Sequence, residues 1–528
     1  MKRKKFKKSI ASLTAVCLAC VLAASGCGKE KDSTVSRGKV TYPSDGSIYP
    51  VQSDDVLTIY TDYDVNSPKM EKWKEAIGAE VEWESTATGG AEALSLMIAS
   101  NSLPDIFLTN FFKQAGGIQK YVNDNVIIDV TDAVDKYAPN FKAWLDKDET
   151  VRKMCVSDDG KNYFFPCIRF EDELRSFRGP IIRKDLLEKY GLDVPETIDE
   201  WHNVLTTFKK NGLTAPLSYD INTYEPFGGI ISAYGVVADF YVDGGEVKYG
   251  YLEDGMRQGL KTLAQWYKEG LMDENLTFSA SNLDKNILNS KTGITFNTSG
   301  GGMGKYLKAA KENGNASFDI EGIKLPVLKK GDKSKFSDSV FPVTYDNNGF
   351  ISTQCDNVEL ATRFLDFGYS EKGHMQMNFG EEGLTYEMKD GKPVYTDLIM
   401  NNPDGKSVGE AMTEYIFGNW SGPFAQDINY IEQYNALPQQ KTTLKFWGEQ
   451  LNMEHIMPQI TLTEEESSKV TAIINNVKTC ADENLFKFIM GIKSVDTDYD
   501  AFVKELEGFG IRDALEIYNT ALKRYNSR

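Results

Sequence analysis

The chain has 528 residues, too many for one hydrophobic core, so two or three domains are expected. Its 59 Lys and Arg stand against 77 Asp and Glu, a formal net charge of −18; no basic block lies beyond the first eight residues, which argues against a nucleic-acid partner. Seven cysteines, most of them isolated, do not form a disulfide framework, although the sequence leaves a Cys155–Cys167 pair open.

Residues 1–26 read as an export signal: Lys2, Arg3, Lys4, Lys5, Lys7 and Lys8, an apolar run from Ile10 to Ala24, then Ala24-Ser25-Gly26-Cys27. The apolar run is about 15 residues, short of the roughly 20 a spanning helix needs. Small residues followed by Cys27 are the pattern of a bacterial lipoprotein, in which Cys27 is acylated and becomes the new N-terminus. Two acyl chains hold a protein at a membrane without a spanning segment. Residues 27–55 are then the lipidated Cys and a polar tether, which places the body on the outer face of the cytoplasmic membrane.

Order is expected from Val56, where Val56-Leu57-Thr58-Ile59-Tyr60 alternates as a strand does. A short helix around Met70–Ile77, a second strand at 79–83, a helix with Leu94, Met97 and Ile98 on one stripe, and a third strand at 104–108 follow. Strand, helix, strand, helix, strand implies parallel pairing through right-handed crossovers, hence an α/β domain. Thr197 and Glu200 form a capping box ahead of Trp201, Val204, Leu205 and Phe208 at helical spacing. Gly259–Gly270 repeats the pattern with Gly270 as C-cap, Thr463 and Glu466 open another helix, and Leu515, Tyr518, Leu522 and Tyr525 mark the last. Strands are expected at 293–296 and 349–352.

The sequence shows little catalytic chemistry. His202, His374 and His455 stand apart and form no zinc motif. Gly300–Tyr306 resembles a phosphate loop but has Ser299 where the first Gly belongs and Tyr306 where magnesium needs Ser or Thr. Gly405-Lys406-Ser407-Val408-Gly409 matches a nucleophile-elbow string in a turn context that lacks its strand. No catalytic residue, metal or cofactor is therefore assigned. Aromatic residues make 12% of the chain, and rings amid polar, glycine-punctuated segments suit the C–H faces of a sugar, with neighbouring Asn, Asp and Arg for its hydroxyls.

The run Leu94-Ser95-Leu96-Met97-Ile98-Ala99-Ser100-Asn101-Ser102-Leu103-Pro104-Asp105-Ile106-Phe107 resembles a signature of family 1 extracellular solute-binding proteins. Further stretches, in order along the mature chain, are similar to the long lipoprotein subgroup of that family. They are Tyr137–Asn140, Ile182–Asp185, Thr197–Trp201, Tyr267–Leu271, Asn378–Gly383 with Tyr386-Glu387, and Ile517-Tyr518 with Arg524-Tyr525.

The resemblance implies an α/β, two-lobed periplasmic-binding-protein-like fold with hinge segments and a central ligand cleft. It also implies a carbohydrate ligand, permease subunits of an ABC transporter as partners, a monomer, and no enzyme activity. Residues 56–175 are expected to open the N-terminal lobe, 176–345 to form mainly the C-terminal lobe with a hinge crossing, and 346–528 to return through the hinge with helices on both lobes. Calcium is not expected at 209–217, where the carboxylates of a calcium loop are missing. Strand-end placement and the family layout together suggest a cleft of Asp62, Tyr63, Asn110, Phe111 and Asn297. From the other lobe and the crossings come Arg169, Tyr219, Phe227, Tyr345, Asn347, Glu382 and Trp420. Two rival readings keep other chemistry: a secreted lipid-anchored carbohydrate-active enzyme, and a binding protein for peptide or another solute.

Overall fold

The alternating apolar residues from Val56 form β1 (Val56–Thr61), which buries Leu57, Ile59 and Tyr60, whereas residues 39–55, expected as tether, pack on the same body: Val51 is buried and Tyr49 meets Phe367 at 5.0 Å. The helix Pro68–Ile77, with Pro68 in its first turn and Gly78 closing it in the left-handed region, carries Met70, Trp73 and Ile77 back over the sheet. β2 (Glu80–Ser85) and, after the helix Gly90–Ala99, β3 (Ile106–Thr109) both pair with β1 in parallel, as the strand–helix alternation predicts. The computed structural model describes residues 39–85, 90–113, 117–218, 226–276, 280–419 and 421–528.

Four more strands follow at intervals: β4 (Phe165–Ile168), β5 (Arg178–Arg183) and the hairpin β6 (Phe240–Asp243) with β7 (Glu246–Tyr249). β8 (Ile294–Thr298), β9 (Ile320–Gly322) and β10 (Val343–Ile351) come next. The hairpin β11 (Tyr386–Lys389) with β12 (Lys392–Tyr395) and the short β13 (Phe424–Ala425) complete the set. They assemble into a six-stranded sheet of order β13-β4-β10-β3-β1-β2 and a separate three-stranded sheet of order β8-β5-β9. β10 runs antiparallel to both β3 and β4, so the chain visits the second sheet before returning to the first.

Each sheet has its own core. Trp73, Phe107, Phe111, Phe165, Phe350 and Phe364 lie among the side chains packed on the larger sheet. Trp201, Phe208, Trp266, Phe296 and Phe488 belong to the core beside the smaller one. The chain crosses between these two bodies at 169–177, between β9 and β10, and again after β13, as strand order requires. Asp338 and Arg178 pair within this crossing zone, and Asn452 and Ser337 exchange hydrogen bonds of 2.9 and 3.0 Å. The 26-residue helix Glu464–Ile489 and the helix Ile511–Asn526 pack chiefly on the smaller-sheet core. Leu522 and Tyr525 of the latter belong to the larger-sheet core.

The helix boundaries follow local chemistry. Thr197 accepts from the Glu200 N–H at 3.2 Å while Glu200 accepts from the Thr197 N–H at 3.0 Å, the reciprocal cap the sequence predicts, and Thr463 with Glu466 repeats it. Gly270, at φ 65°, ends the helix Asp254–Lys268. Cys155, Cys167, Cys355 and Cys480 are buried free thiols, so Cys155 and Cys167 are not paired. Cys27 and the tether up to residue 38 lie outside the described residues. Among the described residues no helix is long and apolar enough to cross a membrane.

Candidate functional site

The parallel strands β1 and β3 end side by side, and β10 runs past them in the opposite sense. Asp62 follows β1 and accepts from the Thr109 hydroxyl at 3.0 Å. Asn110 follows β3 and donates to Asp346 at 2.7 Å. Asp346 lies where β10 leaves register: its pairing with β4 shifts between Thr344 and Gly349, opposite Pro166, which has no N–H to give the ladder. Asn347 in the same bulge takes φ 52°, a left-handed conformation that Asn accepts better than most residues. Four of these side chains, Asp62, Asn110, Asp346 and Asn347, thus present carboxylate and amide groups at one end of the sheet.

Tyr63, next in sequence to Asp62, links these strand ends to the segment ahead of β13. Tyr63 is buried, donates to the Ser421 carbonyl and packs edge-to-face on Phe417 at 5.2 Å; burial holds its hydroxyl well above the usual phenol range. Asn419 donates to Thr413 Oγ1 at 3.0 Å and to the Gly409 carbonyl at 3.2 Å. Its own Oδ1 is buried and unbonded among the described residues. Arg169, from the first crossing, lies 6.0 Å from the Phe177 ring, and the Phe177 carbonyl accepts from the Ser299 N–H at 2.8 Å. Tyr430 stacks on Tyr434 with centroids 6.2 Å apart.

The smaller-sheet body contributes a glycine turn. After β8, Ser299–Met303 forms a π-helical turn capped by the Thr298 hydroxyl, which accepts from the Gly302 N–H at 2.9 Å. These glycines are there for space. A methyl on Gly300 would sit 2.6 Å from the Tyr434 ring, and one on Gly302 would sit 2.2 Å from Asn297 Oδ1. Asn297 is held by Tyr306, to whose hydroxyl its amide donates at 2.9 Å, and by the Thr298 N–H at 2.8 Å. The run Gly300–Lys305 is therefore a packing turn against Tyr434 and Gln440, whose amide donates to the Ser299 and Gly300 carbonyls.

Of the sequence candidates, Asp62, Asn110 and Asn347 come together at the strand ends. Arg169 lies at the crossing, and Asn297 beside the glycine turn. Phe111 is fully buried and stacks on Tyr121 at 4.3 Å, so its ring belongs to the core and not to a cleft face. Tyr345 is also buried; its hydroxyl donates to the Met154 carbonyl at 3.1 Å. Its edge reaches a cavity of about 460 Å³ shared with Phe112 and Phe164. The ring of Tyr63 is enclosed. Glu382 lines a different groove of about 700 Å³ between the helices Pro68–Ile77 and Glu371–Phe379. Tyr219 and Trp420 lie outside the described residues, and so does the side chain of Phe227.

Sequence reading missed Asp346, Asn419 and Tyr434. Asp346 was legible only as a neighbour of Asn347, and the other two depend on contacts between distant segments. Ser407 is the N-cap of the helix Val408–Tyr415, bonded reciprocally with Glu410, which explains its motif without catalysis. His202 pairs with Glu269, His374 with Asp427 at 2.9 Å, and His455 with the Val242 carbonyl. Among the described residues no group of three or more His, Cys, Asp or Glu is placed to hold a metal ion.

Two α/β bodies joined by repeated crossings, with polar strand ends at the junction, define a two-lobed solute-binding architecture. The chain belongs to the bacterial extracellular solute-binding protein family, whose sequence pattern matches residues 64–375. It is 26% identical over 575 aligned positions to the fructooligosaccharide ABC transporter substrate-binding protein FusA of Streptococcus pneumoniae serotype 4. That alignment covers 100% of this chain and 99% of the relative. Among solved structures, the alginate-binding protein AlgQ2 without calcium ion superposes with a TM-score of 0.72 at 25% identity, covering 89% of this chain and 98% of that one. FusA of S. pneumoniae in complex with kestose superposes with a TM-score of 0.69 at 23% identity, covering 90% and 100%.

Proposed function

We propose that this protein is the extracellular, lipid-anchored substrate-binding component of an ABC importer, which captures an oligosaccharide between its lobes and delivers it to a membrane permease. The observation that carries the reading is the end-to-end match with a fructooligosaccharide-binding transport protein. The strand-end groups agree with it. Asp62, Asn110, Asp346 and Asn347 offer the acceptors and donors that sugar hydroxyls need, with Asn297 and Arg169 supplied by other segments. A ligand that touches both lobes binds the closed form better than the open one, so closure follows from binding without covalent chemistry. Cys27 supplies the lipid anchor in this reading, and the body acts as a monomer, not as an enzyme.

The test is a thermal-shift and calorimetric screen against a glycan panel that includes fructooligosaccharides, with peptides as a second arm. A ligand present at 100 times its Kd raises stability by about 2.7 kcal/mol. Stabilisation by at least one oligosaccharide, recovered intact, is the expected result. Binding of a peptide with no response to any saccharide, or cleaved glycan after incubation, overturns the reading.

A further inference from the structure

The helices Glu464–Ile489 and Ile511–Asn526 lie against both lobes, but their two attachments differ in kind. Towards the smaller-sheet lobe the contact is hydrophobic and filled: Val477, Ala481, Phe488, Ile511 and Ala514 are all buried in that core. Towards the larger-sheet lobe only Leu522 and Tyr525 enter the core, and the rest of the contact is largely a polar clasp. Arg524 donates across to Asp158 Oδ2 at 2.7 Å and, within the helix pair, to both oxygens of Glu466 at 2.9 and 2.6 Å. Arg528, 3% exposed, donates to Asp158 Oδ1 at 2.9 and 2.7 Å, to the Lys153 and Val156 carbonyls at 3.0 and 2.7 Å, and to Thr461 Oγ1 at 2.7 Å.

All five donors of that guanidinium are used, two of them on carbonyls at the end of the helix Glu149–Cys155, where the helix dipole favours a cation. Asp158 is thus shared by two arginines that also hold Glu466 and the segment leading into the long helix. On either side of the clasp the packing is open. A cavity of about 610 Å³ lies between Val151, Phe170, Pro342, Pro458 and Leu522. One of about 460 Å³ lies between Phe112, Tyr345, Val470 and Tyr518. The joint to the larger-sheet lobe is small, made of Leu522, Tyr525, an Asn123–Glu464 hydrogen bond of 2.8 Å and the clasp, and flanked by two voids it leaves more room to rock than the close-packed contact on the other side.

We infer that the two helices travel with the smaller-sheet lobe and that the Arg524–Arg528–Asp158–Glu466 clasp is the pivot on which the larger-sheet lobe turns during closure. The inference rests on the closure proposed above. The pivot touches no ligand; it limits the relative orientations the free protein samples. Without it the ligand-competent arrangement is a smaller fraction of the ensemble, and apparent affinity falls by that fraction.

The test labels exposed Lys136→Cys and Lys311→Cys, one on each lobe, with nitroxides and measures the distance distribution by pulsed electron resonance in ligand-free protein, with and without Asp158→Asn. The expected result is a broader distribution in the variant, with unchanged circular dichroism. Where the wild type binds an oligosaccharide, Kd should rise about tenfold, while the ligand-saturated distance stays at the wild-type value. An unchanged ligand-free distribution overturns the inference, as does a variant that binds more tightly. Should Asp158→Asn lose its fold, Arg524→Gln, which keeps the Arg528 bonds, provides the same reading. The ligand-free distances need no sugar, so failure of the oligosaccharide reading and failure of the pivot are seen separately.

Discussion

In the proposed reading Asp62 and Asn110 meet the ligand through single polar groups at strand ends, so truncating them should affect binding more than folding. Asp62→Ala and Asn110→Ala are each expected to raise the Kd of the bound oligosaccharide about 10- to 100-fold, since losing a hydrogen bond that leaves its partner buried costs about 1–3 kcal/mol. Their melting temperatures should stay close to the wild type, and calorimetry beside a thermal melt checks both. Asp366 behaves differently. It is fully buried, accepts from the Phe141 N–H at 2.7 Å, the Asn140 amide at 2.6 Å and the Tyr49 hydroxyl at 3.2 Å, and burial pushes its carboxyl up to about 6. Between the ordinary carboxylate range and pH 6 the folded protein therefore holds a proton that the unfolded chain has lost. Stability from this group is full at low pH and falls as pH rises through 6, by about 3 kcal/mol in all. Asp366→Asn should flatten that part of the pH–stability profile measured by urea unfolding. At this scale the sequence told much about polar residue types and little about burial. Phe111 and Tyr345 read as exposed rings because their neighbours are polar, yet both are buried in the core of the larger sheet.

Elements were the most legible scale. Thr197 with Glu200 and Thr463 with Glu466 announce their helices by chemistry confined to four residues, and the structure places both caps there. Replacing Thr197 with Ala should cost about 1 kcal/mol in chemical unfolding and leave ligand affinity alone, because the helix Ile198–Lys210 packs in the smaller-sheet core, away from the strand ends. The backbone N–H of Glu196, with Lys330 and the Thr197 N–H, holds the Glu200 carboxyl down at about 2. This cap is accordingly strongest above the usual Glu range and is lost as pH falls through 2. The glycine turn is where local reading stopped. Gly300–Gly302 reads as a failed phosphate loop, and its purpose appears only when Tyr434, more than a hundred residues on, is packed against it. Gly302→Ala should displace Asn297 from Tyr306 and weaken ligand binding, whereas Gly314→Ala, which meets open space but takes φ 72°, should lower stability without changing affinity. β10 was foreseen only at its end, since its Asp-Asn-Asn bulge opposite Pro166 carries loop residues through the middle of a strand.

For the whole molecule, the order of strands and helices predicted an α/β chain with parallel pairing at its start, and the family strings predicted two lobes. The return of β10 and β13 to the first sheet could not be read from periodicity, because pairing across about 175 to 255 residues of intervening chain leaves no local trace. In the proposed reading, function at this scale is a balance between lobe arrangements that ligand contacts tip. The most direct test is small-angle scattering on the purified protein, titrated with the oligosaccharide that stabilises it most in the glycan screen. A single-step fall in radius of gyration, complete at one equivalent, with the saccharide recovered uncut, is the predicted result; an unchanged radius at saturation, or a cleaved product, would contradict it.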